Sequence, residues 1–327
     1  MIIVYFVVLI ITFALLFKCA DFFIQGASAI AEILNIPKMV VGIVLVGLAT
    51  TAPEFGVSVM ASFLGKPEFA LGNAIGSVIC DDGIALAFAA ILAPIPILVN
   101  CRMLKIIGPF LLAIDFIAFG LARDGGISRI DGLILLILLA VYFLLIFKVP
   151  HFRSIKPENK NRDAYPKKKH EIFEKKLELK KPVSLFGLGL IGVVLATRGV
   201  IWSAENIAIH FSISEIVIGA TVLAIGTSLP EISTCIVAAL KGEGEIAVGD
   251  IIGADILNIL WIIGVASVVR PIRVEVDIIN FTFPFMILIV LIMLVSMRIG
   301  CRLTKLKGII LFATYLVYLF FTLKFFT

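Results

Sequence analysis

Two stretches of the chain place a glutamate inside a long apolar run. The first, GLATTAPEFGVSVM, contains Glu54, and the second, AIGTSLPEIST, contains Glu231. A proline directly before each glutamate removes a backbone N–H and clashes with the carbonyl about one turn earlier. The freed carbonyls join hydroxyls and carboxylates in an all-oxygen ligand set, which is typical of a hard cation such as Ca²⁺. The predicted ligands are the side chains of Glu54, Glu231, Thr50 and Thr227 and the carbonyls near Ala49 and Gly226.

The two stretches are copies of one another. TTAPEFGVSVMASFLGKPEFALGNAIGSVICDD aligns with TSLPEISTCIVAALKGEGEIAVGDIIGADILNI without a gap, at a constant offset of 177 residues. A second motif follows in each copy, and its side-chain oxygens recur about every four residues, which places them on related faces of one helix. These oxygens belong to Asn73, Ser77 and Asp81 in the first copy and to Asp250, Asp255 and Asn258 in the second.

A pair of glutamates at membrane depth needs compensation. A divalent cation between the two carboxylates cancels their charge, whereas isolated buried carboxylates are very costly. The alternative is that both glutamates are protonated and hydrogen-bonded between helices.

The composition places these motifs in a membrane protein. Of the 327 residues, 61% are hydrophobic and only 16% are charged. Apolar runs of about 20 residues, each long enough to cross a bilayer, recur along the whole chain. They predict ten helices, roughly at 2–31, 39–64, 69–97, 104–122, 129–148, 183–210, 215–240, 246–268, 275–297 and 306–325.

One long polar segment divides the ten helices into five and five. From Lys148 to Pro182 it carries twelve Lys or Arg residues against five acids. Basic loops are retained in the cytoplasm, so the linker is predicted inside and both termini outside. This orientation puts 20 basic residues in inside loops and 6 in outside loops. An interaction of the linker with anionic lipids is a second reading of its charge.

An odd number of spans in each half inverts the second copy relative to the first. The predicted fold is therefore an all-α membrane protein of two inverted five-helix repeats, with broken helices carrying the ion site, an architecture of secondary transporters. The predicted boundaries are 1–149 for the first repeat, 150–181 for the linker and 182–327 for the second repeat. The duplicated motifs lie at 47–83 and 224–260.

These motifs resemble those of the cation/Ca²⁺ exchanger superfamily, and most closely its prokaryotic sodium/calcium exchangers. The family pattern G-[TS]-S-x-P-E followed by G-N-x-x-G-S reads here as ATTAPE with GNAIGS and as GTSLPE with GDIIGA. The resemblance implies Na⁺/Ca²⁺ exchange across the membrane by alternating access. It implies Ca²⁺ on Glu54, Glu231, Thr50 and Thr227. It further implies sodium or central sites at Thr51, Ser77, Asp81, Ser228 and Asn258 and at the carbonyls of Ala49 and Gly226.

The sequence departs from the family pattern in several places. Asp81 and Asn258 exchange the identities that are common in the family, and Ala254 lacks the hydroxyl of the second G-S. Asp82, Asp250 and Asp255 are additional acids near the expected ion pathway. Each is read as a charge at the entrance of the pathway, a proton carrier or a residue at the membrane interface. The missing hydroxyl puts one sodium site in question, and the acids keep a proton-coupled Ca²⁺ exchanger as the alternative.

Other classes of function fit less well. The sequence predicts a transporter and not an enzyme, with Ca²⁺ and Na⁺ as transported ions and no organic cofactor. Its expected partners are the lipid bilayer and inorganic cations, without nucleic acid or an obligate protein partner. The three histidines have no zinc spacing, and the cysteines form no CxxC pair. Cys19, Cys80, Cys101, Cys235 and Cys301 are therefore predicted to be small buried apolar residues.

Overall fold

The computed structural model describes residues 2–148, 172–211 and 224–326. Nine helices in these ranges are long and apolar enough to cross a membrane. The helices are α1 (Ile2–Leu34), α2 (Lys38–Phe63), α3 (Pro67–Leu92), α4 (Cys101–Ala122), α5 (Arg129–Lys148), α6 (Ile172–His210), α7 (Ala224–Thr227), α8 (Leu229–Leu240), α9 (Gly244–Val269), α10 (Ile278–Cys301) and α11 (Lys305–Phe326).

These helices confirm the predicted all-α membrane fold. The predicted span 215–240 is represented by α7 and α8, and its first part lies outside the described residues. Helix α6 begins at Ile172, eleven residues earlier than predicted, because Pro182 is accommodated inside it. Most of the predicted linker, 150–171, lies outside the described residues.

Helices α3 and α9, which carry the second motif of each copy, form the centre of the core. They are the two most buried of the nine spans, whereas the first half of α1 is largely exposed. Each contains a wider π-helical turn at the equivalent position, at Asp81–Leu86 and at Asn258–Ile263. Such turns interrupt the regular α-helical hydrogen bonds and frequently mark functional sites. Helices α1 and α6 pack side by side, and Gly189 allows the close approach of α6 to Phe23.

The proline of each copy acts differently on its helix. Helix α2 continues through Pro53, whereas Ser228 separates α7 from α8 two residues before Pro230. The predicted break at the proline is thus found in the second copy only. In the first copy the helix continues, although Pro53 has no N–H to offer the carbonyl of Ala49.

Two short antiparallel ladders join the repeats at opposite faces of the helix assembly. The strands are β1 (Ile97–Leu98), β2 (Gly126–Ile127), β3 (Ile272–Arg273) and β4 (Arg302–Leu303), and β1 pairs with β4 while β2 pairs with β3. Each ladder is extended by one further backbone bond, from Val99 N–H to the Cys301 carbonyl and from Val274 N–H to the Gly125 carbonyl. The two ladders are therefore equivalent under the inverted repeat.

A disulfide bond corrects the prediction for two of the five cysteines. Cys101, the first residue of α4, is bonded to Cys301, the last residue of α10, and Cys19, Cys80 and Cys235 are free. The apolar neighbourhoods in the sequence suggested burial, but the two half-buried cysteines are brought together by the β1–β4 ladder, 200 positions apart. Their pairing depends on tertiary structure and left no local signal.

Candidate functional site

The motif side chains of both copies converge between α2, α3, α8 and α9. Nine of the predicted site residues are buried with no more than 2% of their surface exposed: Thr50, Thr51, Glu54, Ser77, Asp81, Ser228, Glu231, Asp250 and Asn258. Gly226 is also buried, and Ala49 and Thr227 are half-buried. We refer to these residues together as the central site.

Glu54 is held by hydroxyl groups from both repeats. Its Oε1 accepts hydrogen bonds from Ser77 at 2.8 Å and from Ser228 at 3.0 Å. The two serine oxygens are themselves 3.4 Å apart. Its other oxygen, Oε2, has no hydrogen-bond partner. One oxygen of this carboxylate is thus fixed, and the other is available.

Glu231 has the same position in the second copy but no such partners. Both of its carboxylate oxygens are buried without a hydrogen bond. By the offset of 177, the equivalents of Ser77 and Ser228 are Ala254, which has no hydroxyl, and Thr51, whose hydroxyl also has no partner. Both oxygens of Asp81 and both polar atoms of Asn258 are buried and unpartnered as well. Glu231, Thr51, Asp81 and Asn258 therefore hold buried polar atoms that a ligand would satisfy.

A second pair of contacts follows the inverted symmetry. Thr50 lies 3.1 Å from Asp250, to which its hydroxyl donates, and Thr227 lies 3.3 Å from Asn73, the residue equivalent to Asp250. Asp250 also accepts a bond from the hydroxyl of Thr234 at 2.9 Å. Each threonine of the first motif therefore bonds to the second motif of the other repeat. Asp250, expected near the pathway, lies against Thr50 within the central site.

The remaining two acids belong to a second group, which adjoins the central site at Asp81. Asp82 and Asp255 face one another, and Asp115 of α4 lies within electrostatic range of both. All three side chains are fully buried, and none of their oxygens has a hydrogen-bond partner. Asp115 was missed by the sequence reasoning because it is a single acid in an apolar run and has Ile292 at the equivalent position.

Thr234 was missed for the same reason, since its equivalent is Val57. The signal that could have found it is its spacing from Pro230: a threonine four residues after a helix-starting proline lies one turn further along the same face. Its hydroxyl lies within hydrogen-bond distance of both the Pro230 carbonyl, at 2.8 Å, and Asp250, at 2.9 Å, and its single proton can go to either.

The charge of the central site has no basic counterpart among the described residues. The ion pairs found in that part of the chain join Lys18 and Lys241 to Asp21 and join Lys38 to Glu32 and Glu243, all outside the central site. In the same ranges, no three His, Cys, Asp or Glu side chains are drawn together in metal-binding geometry. Hydroxyl and carbonyl oxygens would therefore have to complete the coordination of a bound cation.

Comparisons with known proteins show the family of the chain. Residues 4–148 and 181–324 match the model of a family described as sodium/calcium exchanger protein. The inner membrane protein YrbG of Escherichia coli is 34% identical over 80% of this chain and 79% of its own length. The sodium/calcium exchanger MaX1 of Methanosarcina acetivorans is 30% identical over 98% of both chains. A solved structure of the sodium-calcium exchanger NCX_Mj superimposes with a TM-score of 0.81 at 29% identity and covers 98% of both chains.

Proposed function

Because the chain belongs to the sodium/calcium exchanger protein family, we propose that it exchanges Na⁺ for Ca²⁺ across the membrane by alternating access. The observation that carries this proposal is the central site itself, in which carboxylates from both inverted repeats are buried among hydroxyls without a basic partner. Burying such charges is favourable only if a cation or protons neutralise them. The relatives are transporters, and the transported ions are the substrates of this chain.

In this proposal, Ca²⁺ is held by Glu54 and Glu231 together with Thr50 and Thr227. The unengaged oxygens of the two glutamates supply the charge, and carbonyls near Ala49 and Gly226 add neutral oxygens. An oxygen-only shell of this kind suits a hard divalent cation. Glu231 is the stronger Ca²⁺ ligand of the two glutamates in this proposal, because its carboxylate makes no competing hydrogen bond.

Sodium ions take overlapping ligands in the same proposal. These are the hydroxyls of Thr51, Ser77 and Ser228 and the side chains of Asp81 and Asn258. Asp81 lies beside Glu54 and Asp250, so a sodium ion there shares the field of the Ca²⁺ carboxylates. Occupancy by one kind of ion therefore excludes the other. Without a bound ion, the carboxylates repel one another and the change between inward-facing and outward-facing states is slow. Exchange is therefore obligatory.

A proton-coupled Ca²⁺ exchanger is the second candidate. The observation that favours it is the second acid group of Asp82, Asp115 and Asp255, whose buried oxygens have no partner. Protons would neutralise these acids as well as the two glutamates.

The proposed orientation follows the basic linker. Residues 150–181 are assigned to the cytoplasm and both termini to the outside, with repeats at 1–149 and 182–327. Cysteine labelling of a single introduced residue at Asn35 and at Gly125 tests it, because these positions lie at opposite faces of the helix assembly. An impermeant thiol reagent applied outside intact cells is expected to label only the residue at position 125.

The function is tested by radiolabelled Ca²⁺ uptake into proteoliposomes containing the purified protein. One set is driven by an outward Na⁺ gradient and a parallel set by an outward proton gradient. Uptake that requires sodium is the expected result. Uptake driven by protons alone would replace sodium with proton coupling, and uptake without either gradient would contradict exchange altogether.

A further inference from the structure

The two equivalent ladders differ at one left-handed backbone position, where one ladder has a glycine and the other a cysteine. Gly125, beside the β2–β3 ladder, has a φ of +91°, and Cys301, at the same place beside the β1–β4 ladder, has a φ of +50°. Glycine adopts this left-handed conformation readily, whereas a residue with a side chain is disfavoured there. Gly300, directly before Cys301, is also left-handed with a φ of +73°. A cysteine at this position is therefore explained by the bond that it makes and not by the turn.

That bond ties the two repeats together on one face only. Cys101 begins α4 in the first repeat, and Cys301 ends α10 in the second. Counting crossings along the chain puts both cysteines on the face where α5 ends and α6 begins, which is the face of the basic linker. On the opposite face, the β2–β3 ladder has no disulfide. Both cysteines are half-buried, so a small thiol can reach them.

The two sulfur atoms have different electrostatic surroundings. Arg298 directs its Nη1 to the Sγ of Cys101 at 3.6 Å. Cys101 is also the first residue of a 22-residue helix, where the helix dipole stabilises negative charge. A guanidinium and a helix N-terminus both favour a thiolate. Cys301 lies instead at the C-terminal end of α10, where the helix dipole does not favour a negative charge. Cys101 is therefore the better leaving group when the bond is broken.

We propose that Cys101–Cys301 is a thiol–disulfide exchange site on the linker face, at which an external dithiol attacks Cys301. The incoming thiolate bonds to the Sγ of Cys301, the Cys101–Cys301 bond breaks, and Cys101 leaves with the electron pair. The second thiol of the reductant then attacks the mixed disulfide and releases Cys301. Two electrons and two protons pass to the cysteines, and the dithiol becomes a disulfide. The link between the repeats is thereby opened and, with a disulfide oxidant, closed again.

The first experiment asks which sulfur is attacked. The purified full-length protein in lipid nanodiscs is exposed to excess glutathione, quenched with acid and digested, and the mixed disulfides are measured by mass spectrometry. Glutathione is expected on Cys301 in at least about tenfold excess over Cys101, because the leaving group with the more stable thiolate departs faster. Equal labelling or an excess on Cys101 would overturn the assignment.

The second experiment tests the role of Arg298. Reduction by dithiothreitol is followed in the native protein, Arg298→Gln and Lys305→Gln, which removes a charge on the same face without a contact to either sulfur. The Arg298 variant is expected to react about three- to tenfold more slowly, and the Lys305 variant at the native rate. A disulfide that is reduced only after denaturation would show a structural bond. Equal rates in the two variants would remove Arg298 from the mechanism.

Discussion

The two halves of the central site descend from the same motif but treat their glutamates differently. Glu54 accepts bonds from two serines, whereas Glu231 is buried without any. At the two positions equivalent to the serines, Ala254 has no hydroxyl and the hydroxyl of Thr51 makes no hydrogen bond. The duplication therefore keeps the positions of the carboxylates, while the neighbouring hydroxyls bond to one glutamate and not to the other.

The extra acids, unlike the hydroxyls, are equal in number in the two repeats. The second repeat has Asp250 where the first has Asn73, and the first has Asp81 where the second has Asn258. Each repeat thus contributes one extra carboxylate, from a different position. The central site holds four acids, Glu54, Asp81, Glu231 and Asp250, distributed evenly between the repeats. A single Ca²⁺, as proposed, would neutralise half of the charge of four ionised carboxylates, and protons or monovalent cations would be needed to neutralise the rest.

Removing either glutamate is the strongest way to test this comparison. Glu231→Gln and Glu54→Gln are each expected to reduce Ca²⁺ uptake on the order of 30- to 4,000-fold, the equivalent of about 2–5 kcal/mol for one partner of a buried charge pair. The loss is expected to be larger for Glu231, since neither of its oxygens is engaged. Initial uptake rates over a range of Ca²⁺ concentrations measure both losses.

The control for this pair is Glu68→Gln, which removes an acid from the first turn of α3, away from the central site. Its uptake is expected to be unchanged. Native rates in both glutamate variants would remove the carboxylates from the site, and a larger loss for Glu54 would reverse the comparison.

A smaller effect is expected from removing the charge of Asp250. Asp250→Asn retains an acceptor for the hydroxyls of Thr50 and Thr234 but removes one negative charge. The affinity for Ca²⁺ is expected to fall about tenfold, or about 1.4 kcal/mol, because a charged hydrogen-bond acceptor becomes neutral. The half-saturating Ca²⁺ concentration of uptake measures it.

The reciprocal variant decides whether the total charge or its position matters. Asn73→Asp is combined with Asp250→Asn, which returns the charge to the equivalent place in the other repeat. Recovery of Ca²⁺ affinity is expected if the four carboxylates act through their summed field. A double variant as weak as Asp250→Asn would instead mean that the position of the charge is what matters.

Features that follow from apolar length or from the sequence repeat were predictable, and features that depend on packing between distant segments were not. The spans, the inverted repeats and the burial of the motif side chains follow from apolar length and from one constant offset. Asp115 and Thr234 have apolar equivalents, and the Cys101–Cys301 bond depends on a ladder between distant loops. The different behaviour of Pro53 and Pro230 was also not predictable, since both copies share the motif T-x-x-P-E around the proline.

The smallest expected effect comes from the missing hydroxyl. Ala254→Ser places a hydroxyl where Ser77 has one in the first repeat, next to Glu231 and its unpartnered oxygens. A single added hydrogen bond or neutral ligand contributes about 0.5–1.5 kcal/mol, or about a two- to thirteenfold change in affinity. The half-saturating Na⁺ concentration for Ca²⁺ exchange is expected to decrease by that factor, because the hydroxyl adds an oxygen ligand on the side that lacks one.

Ser77→Ala is the matched change in the other repeat. It removes one of the two bonds to Glu54 and is expected to raise the half-saturating Na⁺ concentration by a similar factor. The double variant Ser77→Ala with Ala254→Ser moves the hydroxyl across the pseudo-symmetry axis. If the two halves are interchangeable, the double variant recovers native sodium dependence. If sodium dependence follows Ser77 alone and ignores Ala254→Ser, the half around Glu231 binds Ca²⁺ but no sodium. The unequal hydroxyls would then mean that sodium binds only in the half around Glu54.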